Sequence, residues 1–381
     1  MCTFKNRVQQ RFKQLFSKSP EIAFGAPGRI NIIGEHTDYN QGFVLPAAID
    51  KKINFVFAKN EESGLVRIYA LNADEYREFK LEDARPEAQG WVKYVMAITS
   101  RLLKNNEGFD VVFGGDLPIG SGMSSSSALT CGVAAGLNKL FGLNFPAIDL
   151  VKEVQEAEAI YTGVRGGIMD QFTIAMGKEN QVILLDCQSL DYTYYPLTLD
   201  EYTLLLCNTG VHHELANSEY NTRRSECEKG VAVLQKIDDS IQSLRDVDLA
   251  MINRYRHQLD PVIFNRCYFV VKENARVLES CKALQNSDLP TLGAFMYASH
   301  YGLQQEYKVS CRELDFLVDQ TRNIPEILGA RMMGGGFGGC TINLVRKDKV
   351  DLVVDQLTET YQKEFAIQMD AYQVKIGAGI F

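Results

Sequence analysis

The chain has 381 residues, 46% of them apolar and 23% charged, and its 40 basic and 48 acidic side chains leave a formal net charge of −8. These values are ordinary for a globular protein and exclude a disordered, collagenous or coiled-coil chain, while the length exceeds what one core serves, so two domains are expected. An acidic balance with no basic run argues against nucleic acid and anionic membranes as partners and leaves nucleotides open at local sites.

Nine cysteines, scattered from Cys2 to Cys340 with no C-x-x-C pair, fit free thiols in a reducing compartment, so a cytoplasmic location is expected. The chain has neither an apolar run long enough to cross a membrane nor the apolar block of a signal peptide at its start. Val8, Phe12, Leu15 and Phe16 recur at helical spacing. A strand over residues 29–33 follows and is broken by Gly34; period two sets Arg29, Asn31 and Ile33 on one face and Ile30 and Ile32 on the other. Glu35, His36 and Asp38 then crowd four positions. With a single histidine, that cluster reads better as hydrogen-bonding groups than as metal ligands. Further strands are expected over residues 44–48, 53–58, 66–70 and 110–113, and a helix over 91–103. On that helix Trp91, Tyr94, Ile98 and Leu102 share a face, which suits a core stripe or a cofactor wall equally.

Residues 117–141 carry the strongest local signal, L-P-I-G-S-G-M-S-S-S-S-A followed by an apolar helix. Gly120 and Gly122 let backbone N–H groups approach a ligand where a side chain would block them, and Ser121, Met123 and serines 124–127 lead into the helix start. Unpaired N–H groups, a partial positive charge and hydroxyls together make an anion site. A Walker loop would need a lysine, and a dinucleotide fingerprint a third Gly or Ala at Ser125; both fit badly. The helix is apolar nearly all round, as a buried helix is. Its Gly132 and Gly136 each cost about 1 kcal/mol against Ala, which close packing would offset.

A helix over residues 147–161 sets Glu158 on an apolar face with Val151, Val154 and Tyr161. V-R-G-G-I-M-D-Q-F then places Asp170 in the first turn of a short helix, whose N-terminal field favours the ionised carboxylate. Strands are expected over 181–186 and 202–208, with a domain change that divides the chain into residues 1–180 and 181–381. Helices over 217–234, 252–259, 262–278, 289–307 and 312–321 precede M-G-G-G-F-G-G-C and a strand behind it; a helix over 352–365 and a strand over 372–376 complete the pattern.

Three of these motifs together resemble the GHMP kinase superfamily, and within it the galactokinases: G-R-I-N-I-I-G-E-H-T-D-Y-N with V-L-P-A, the glycine-serine loop, and M-G-G-G-F-G-G-C. G-I-M-D-Q-F and N-S-E-Y-N-T-R-R-S-E-C-E are similar to further blocks of that family, in order from about Ala26 onward. The resemblance implies an α/β (α+β) protein of two domains. The first would hold a mixed sheet with a left-handed crossover, the second an antiparallel sheet with helices, and the active site would lie in the cleft between them. It implies ATP-dependent phosphorylation of the C1 hydroxyl of D-galactose in galactose catabolism, by a monomer without nucleic-acid or membrane partners.

By the same resemblance Asp170 is the base and Arg29 its partner, stabilising charge on the transferring phosphoryl group. Glu35, His36, Asp38, Gly167, Asp170 and Tyr220 bind the sugar. Gly120, Ser121, Gly122, Met123, Ser124, Ser125 and Ser126 bind the ATP phosphates, Trp91 and Tyr94 face adenine, and Ser126 and Glu158 hold Mg²⁺. The sequence departs from the family pattern at Met123, usually Leu, and at Ser127, usually Ala, which leaves the magnesium serine open by one position. It departs also in H-Y-G-L-Q-Q-E-Y after residue 299 and in the terminal G-A-G. An N-acetylgalactosamine kinase, or a sensor that binds ATP and galactose without turnover, is the alternative.

Overall fold

The computed structural model describes residues 3–104, 106–212 and 216–381, with only the backbone of 212 and 216–218. The strands are β1 (Ile22–Asn31), β2 (Phe43–Val44), β3 (Pro46–Lys59), β4 (Leu65–Ala70), β5 (Glu75–Lys80), β6 (Phe109–Gly115), β7 (Gln181–Asp186), β8 (Tyr192–Pro196), β9 (Tyr202–His212), β10 (Ile327–Met332), β11 (Gly338–Arg346) and β12 (Asp370–Val374). They form a five-stranded sheet β1-β3-β6-β4-β5, a four-stranded sheet β10-β11-β9-β12 and a three-stranded sheet β2-β7-β8. The first is mixed, with β4 parallel to β6 and its other pairs antiparallel. The second is antiparallel throughout. The third joins β2 from early in the chain to β7 and β8 beyond residue 180.

Both faces of the five-stranded sheet are covered, and the charged side chains in its central strands β4 and β6, Arg67 and Asp110, pair with each other. Val56, Ala58 and Val112 pack under Val8 and Phe12 of the helix Phe4–Phe16. Phe55, Phe57 and Val111 face the opposite way, into the main core. There the helix Ser125–Phe141 crosses β1 and β3. A Cβ on Gly132 would lie 2.3 Å from the Phe55 ring, and one on Gly136 2.3 Å from the Phe57 ring, so the two glycines allow this approach. In the antiparallel sheet, Leu205, Cys207 and Val345 pack under the helices Arg312–Thr321 and Val350–Phe365. Leu204, Leu206 and Ile342 face the main core.

The two strands expected over 44–48 and 53–58 are largely one, β3. Its pairing with β1 shifts register between Lys52 and Ala48, and β6 joins only from Ile53, so polar Asp50 to Lys52 lie at an irregularity where Asp50 bonds Lys375 instead. Three strands went unread for physical reasons. β5 is an edge strand of mostly charged residues with Phe79 alone buried, β8 is another exposed edge, and β10 contains Gly329 and Arg331 in an apolar run. The helix expected over 289–307 is Leu289–Gly302 continued by a π turn, Leu303–Tyr307.

Phe55 is 1% exposed and stacked on Phe24, Phe57 and Phe113, so its ring cannot yield. Gly132→Ala gains about 1 kcal/mol of helix propensity and loses about 1–3 kcal/mol to overpacking. A lower urea midpoint is expected; an unchanged or higher one would show that the close approach is not what retains the glycine.

Candidate active site

β1 delivers Arg29 directly beneath the glycine-serine loop. The Arg29 backbone N–H donates to Met123 O (3.2 Å), and a Cβ on Gly28 would stand 2.8 Å from the same oxygen, so strand and loop are in contact. The guanidinium then forks onto Asp170, Nε to Oδ1 at 2.6 Å and Nη2 to Oδ2 at 2.8 Å, while Nη1 donates to Gly122 O at 2.6 Å. Ser124, in left-handed backbone (φ 57°) just before the helix, donates its hydroxyl to Asp170 Oδ2. Asp170 stands in the first turn of the helix Met169–Met176, as its sequence predicts. Its carboxylate is thus held by three donors from two other segments and keeps 26% of its side-chain surface exposed toward a cleft.

That cleft, about 280 Å³, is lined by Arg29, Glu35, His36, Asp38, Gly167, Asp170 and Tyr220 on one side, and by Lys93, Tyr94, Ser126, Ser127 and Glu158 on the other. Gly334 and Gly335 of the second glycine run also border it. Asp38 approaches Gly167 so closely that a Cβ there would lie 2.1 Å from Asp38 Oδ2. Burial, reinforced by the charge of Asp170, pushes the Asp38 carboxyl up to about 7. His36 adopts φ 62°, its Nδ1 bonds Tyr39 Oη (2.7 Å), and Nε2 is buried with no well-formed hydrogen bond among the described residues. Burial pushes its pKa down to about 3, so the imidazole is neutral. Tyr220, on the helix Ala216–Gln235, packs its ring 5.3 Å from His36. Glu35 is 2% exposed, and its Oε1 accepts from Arg331 Nη2 and from the Gly334 N–H, each at 2.9 Å.

Glu158 projects from the helix Ala147–Thr162 into the other end of the cleft. Thr130 Oγ1 donates to Oε1, and Gln171 Nε2 (2.9 Å) and Ser127 Oγ (3.2 Å) donate to Oε2. Burial, followed by the Asp170 charge, pushes this carboxyl up to about 7 against those donors. Among the described residues it has no cationic partner, and no cluster of three or more His, Cys, Asp or Glu side chains is placed to hold a metal. A carboxylate with only neutral donors, in a cleft that Ser126 also lines, suits Mg²⁺, which takes few protein oxygens and completes its shell with water and phosphate. The serine one position on, Ser127, is the one bonded to Glu158, while Ser126 lines both the cleft and an adjoining pocket.

That pocket, about 340 Å³, is apolar. Trp91, Tyr94, Phe113, Leu117, Ile119 and Leu129 line it beside Gly120 and Ser125. Trp91 stands edge-on to Phe113 and donates Nε1–H to Glu75, so the stripe read as core or cofactor wall borders a cavity. Sequence reasoning missed Thr130, Gln171, Lys93 and Arg331. Thr130 lies one helical turn beyond Ser126 and Gln171 immediately after Asp170, spacings that could have flagged both.

Fold and phosphate loop define a GHMP kinase. The family models described as GHMP kinases N terminal domain and GHMP kinases C terminal match residues 92–178 and 280–363, and the galactokinase galactose-binding signature matches residues 10–59. The Methanococcus jannaschii mevalonate kinase shares the fold at 16% identity, with a TM-score of 0.67 over 93% of this chain and 98% of that one. The Lactococcus lactis galactokinase, solved in complex with galactose, superposes with a TM-score of 0.92 at 34% identity, covering 97% of each chain. Galactokinases of Thermotoga maritima and Clostridium acetobutylicum are 41% and 38% identical, over 93% and 98% of this chain and 98% of each relative. The chain belongs to the galactokinase family.

The Asp38 carboxyl, raised to about 7, favours the folded state when protonated. Its contribution is complete below about pH 4, the unfolded value, and is lost as pH rises through about 7. In the ligand-free protein Asp38→Asn should therefore gain stability relative to wild type between pH 5 and 8. A difference in unfolding midpoint that stays constant across that range would contradict the assignment.

Proposed function

We propose that the chain transfers the γ-phosphoryl group of ATP to the C1 hydroxyl of D-galactose, giving galactose 1-phosphate and ADP. The observation that carries this reading is the Arg29–Asp170 fork, set between the glycine-serine loop and the cluster of Glu35, His36 and Asp38. Galactose would occupy the side of the cleft lined by those three residues, Gly167 and Tyr220. Glu35 and Asp38 accept from or share protons with its hydroxyls, and the neutral His36 offers Nε2. A site built on such bonds rejects an epimer by leaving buried groups unpaired.

ATP would place adenine in the apolar pocket between Trp91 and Tyr94 and its phosphates on the loop from Gly120 to Ser126. Mg²⁺, held by Ser126 and Glu158 with the phosphates, would supply charge neutralisation; Ser127, Thr130 and Gln171 orient Glu158 for it. The sugar oxygen attacks the γ-phosphorus in line, the bond to the β–γ bridging oxygen breaks, and the hydroxyl proton passes to Asp170. Arg29 holds that carboxylate in place and offsets charge developing on the phosphoryl oxygens. The halves at residues 1–180 and 181–381 would close around the reactants, with the second contributing Tyr220 and Gly334. We further propose a monomer in the cytoplasm; the eight described cysteines are all unpaired, as a reducing compartment allows.

Product formation should be measured with ATP and Mg²⁺ beside galactose, N-acetylgalactosamine, glucose or no sugar. Turnover that requires galactose is expected. Turnover of N-acetylgalactosamine alone would overturn the substrate, and binding of galactose and ATP without turnover would make the chain a sensor.

A further inference from the structure

We propose that Arg331 is a positioning residue that locks Glu35 in its sugar-accepting orientation before galactose arrives; the proposal rests on the galactose reading above. Arg331 lies on β10, opposite Ile342 of β11, and is wholly buried at 0% exposure. A guanidinium in such a place needs a partner for nearly every donor. It has them. Nε donates to Ile32 O at 2.7 Å, Nη1 to Met332 O at 2.6 Å, and Nη2 to Asn31 O and to Glu35 Oε1, the last at 2.9 Å. Two of the three carbonyls belong to the end of β1 and the segment just after it, some 300 residues away in sequence.

The consequence falls on Glu35. Its Oε1 is taken twice, by Arg331 and by the N–H of Gly334, three residues further along the same segment. Oε2 accepts no bond among the described hydrogen bonds, and Glu35 borders the cleft. The carboxylate therefore cannot exchange its oxygens by rotating about its terminal torsion without breaking two bonds, and it offers the sugar one oxygen in one direction. Such preorganisation removes an ordering cost from binding. The same guanidinium ties the end of β1 and the segment just after it to Met332, at the start of the second glycine run. The apolar pocket beyond Ser126 contains no contact with Arg331, Glu35 or Gly334. The second glycine run does stand near Gly122 of the glycine-serine loop, so the effect should fall mainly on the sugar.

Lysine keeps the charge but is a point donor without the planar fork, so it cannot span the Asn31 and Ile32 carbonyls, Met332 O and Glu35 together. The test compares Arg331→Lys with wild type, measuring galactose and ADP affinities separately by calorimetry and the KM for galactose in turnover. Ile342→Val, a core change on the paired strand, controls for lost stability alone. With the fork gone, galactose affinity should fall about tenfold or more, KM for galactose should rise in proportion, and ADP affinity should stay within about twofold. Ile342→Val should lower the melting midpoint and leave galactose affinity intact. Wild-type galactose affinity in Arg331→Lys, or equal losses for galactose and ADP, would overturn the proposal alone; a wild-type chain that does not bind galactose would overturn the reading beneath it as well.

If Arg331→Lys does not accumulate folded, hydrogen exchange of the wild-type chain decides the same point. A lock formed in advance protects the Gly334 amide as strongly as the Met332 amide without sugar. Fast exchange at Gly334 that slows only when galactose is added would show that the sugar makes the lock.

Discussion

The cleft depends on one ion pair, Arg29 with Asp170. Burying two charges costs several kcal/mol per ion, recovered only when geometry is good and remaining donors and acceptors are satisfied. Here the pair is a two-bond fork, the third nitrogen of the guanidinium meets Gly122 O, and Ser124 supplies a further donor to the carboxylate. Residues 141 positions apart are thereby fixed to each other and to the loop between them. The strand β1, the phosphate loop and the helix Met169–Met176 meet at a single point because the pair leaves no other arrangement satisfied.

Charge elsewhere in the cleft is unbalanced by comparison. Glu158 is surrounded by neutral donors, and Asp38 by a neighbouring carboxylate and a glycine that admits it, so burial raises both toward neutrality. Arg29 and Arg331 are committed to carboxylates and backbone carbonyls, and Lys93 borders the cleft beside Tyr94. On the proposed reading such a site would be completed by its ligands: hydroxyls would pair the sugar-side carboxylates, and a divalent cation entering with the nucleotide would meet Glu158. Ligand binding and stability are then linked, since whatever pairs these groups binds the native state alone.

Much of this was legible in the sequence, and the reasons differ by element. The helix Ser125–Phe141 announced its burial by being apolar all round, and Gly132 and Gly136 announced a close neighbour, which proved to be two phenylalanine rings. Glu158 betrayed itself as a carboxylate on an apolar stripe. Arg29 and Asp170 were drawn together by the family's motifs, because nothing in local periodicity links positions so far apart. The rest was hidden by tertiary context. Edge strand β5 carries charges that locally resemble a loop, and Arg331 sits in a strand whose glycine and arginine break the pattern of a buried one. Its partners are carbonyls at the far end of the chain, which no spacing rule could supply.

On the proposed reading Asp170, held by Arg29, accepts the proton of the sugar hydroxyl. Asp170→Asn keeps the size of the side chain and removes its ability to take that proton, so single-turnover phosphoryl transfer, measured beside the galactose dissociation constant, separates chemistry from binding. A loss of about 10²-fold or more in transfer, with galactose binding largely retained, is the predicted result. Near wild-type transfer in that variant would contradict the assignment of the base.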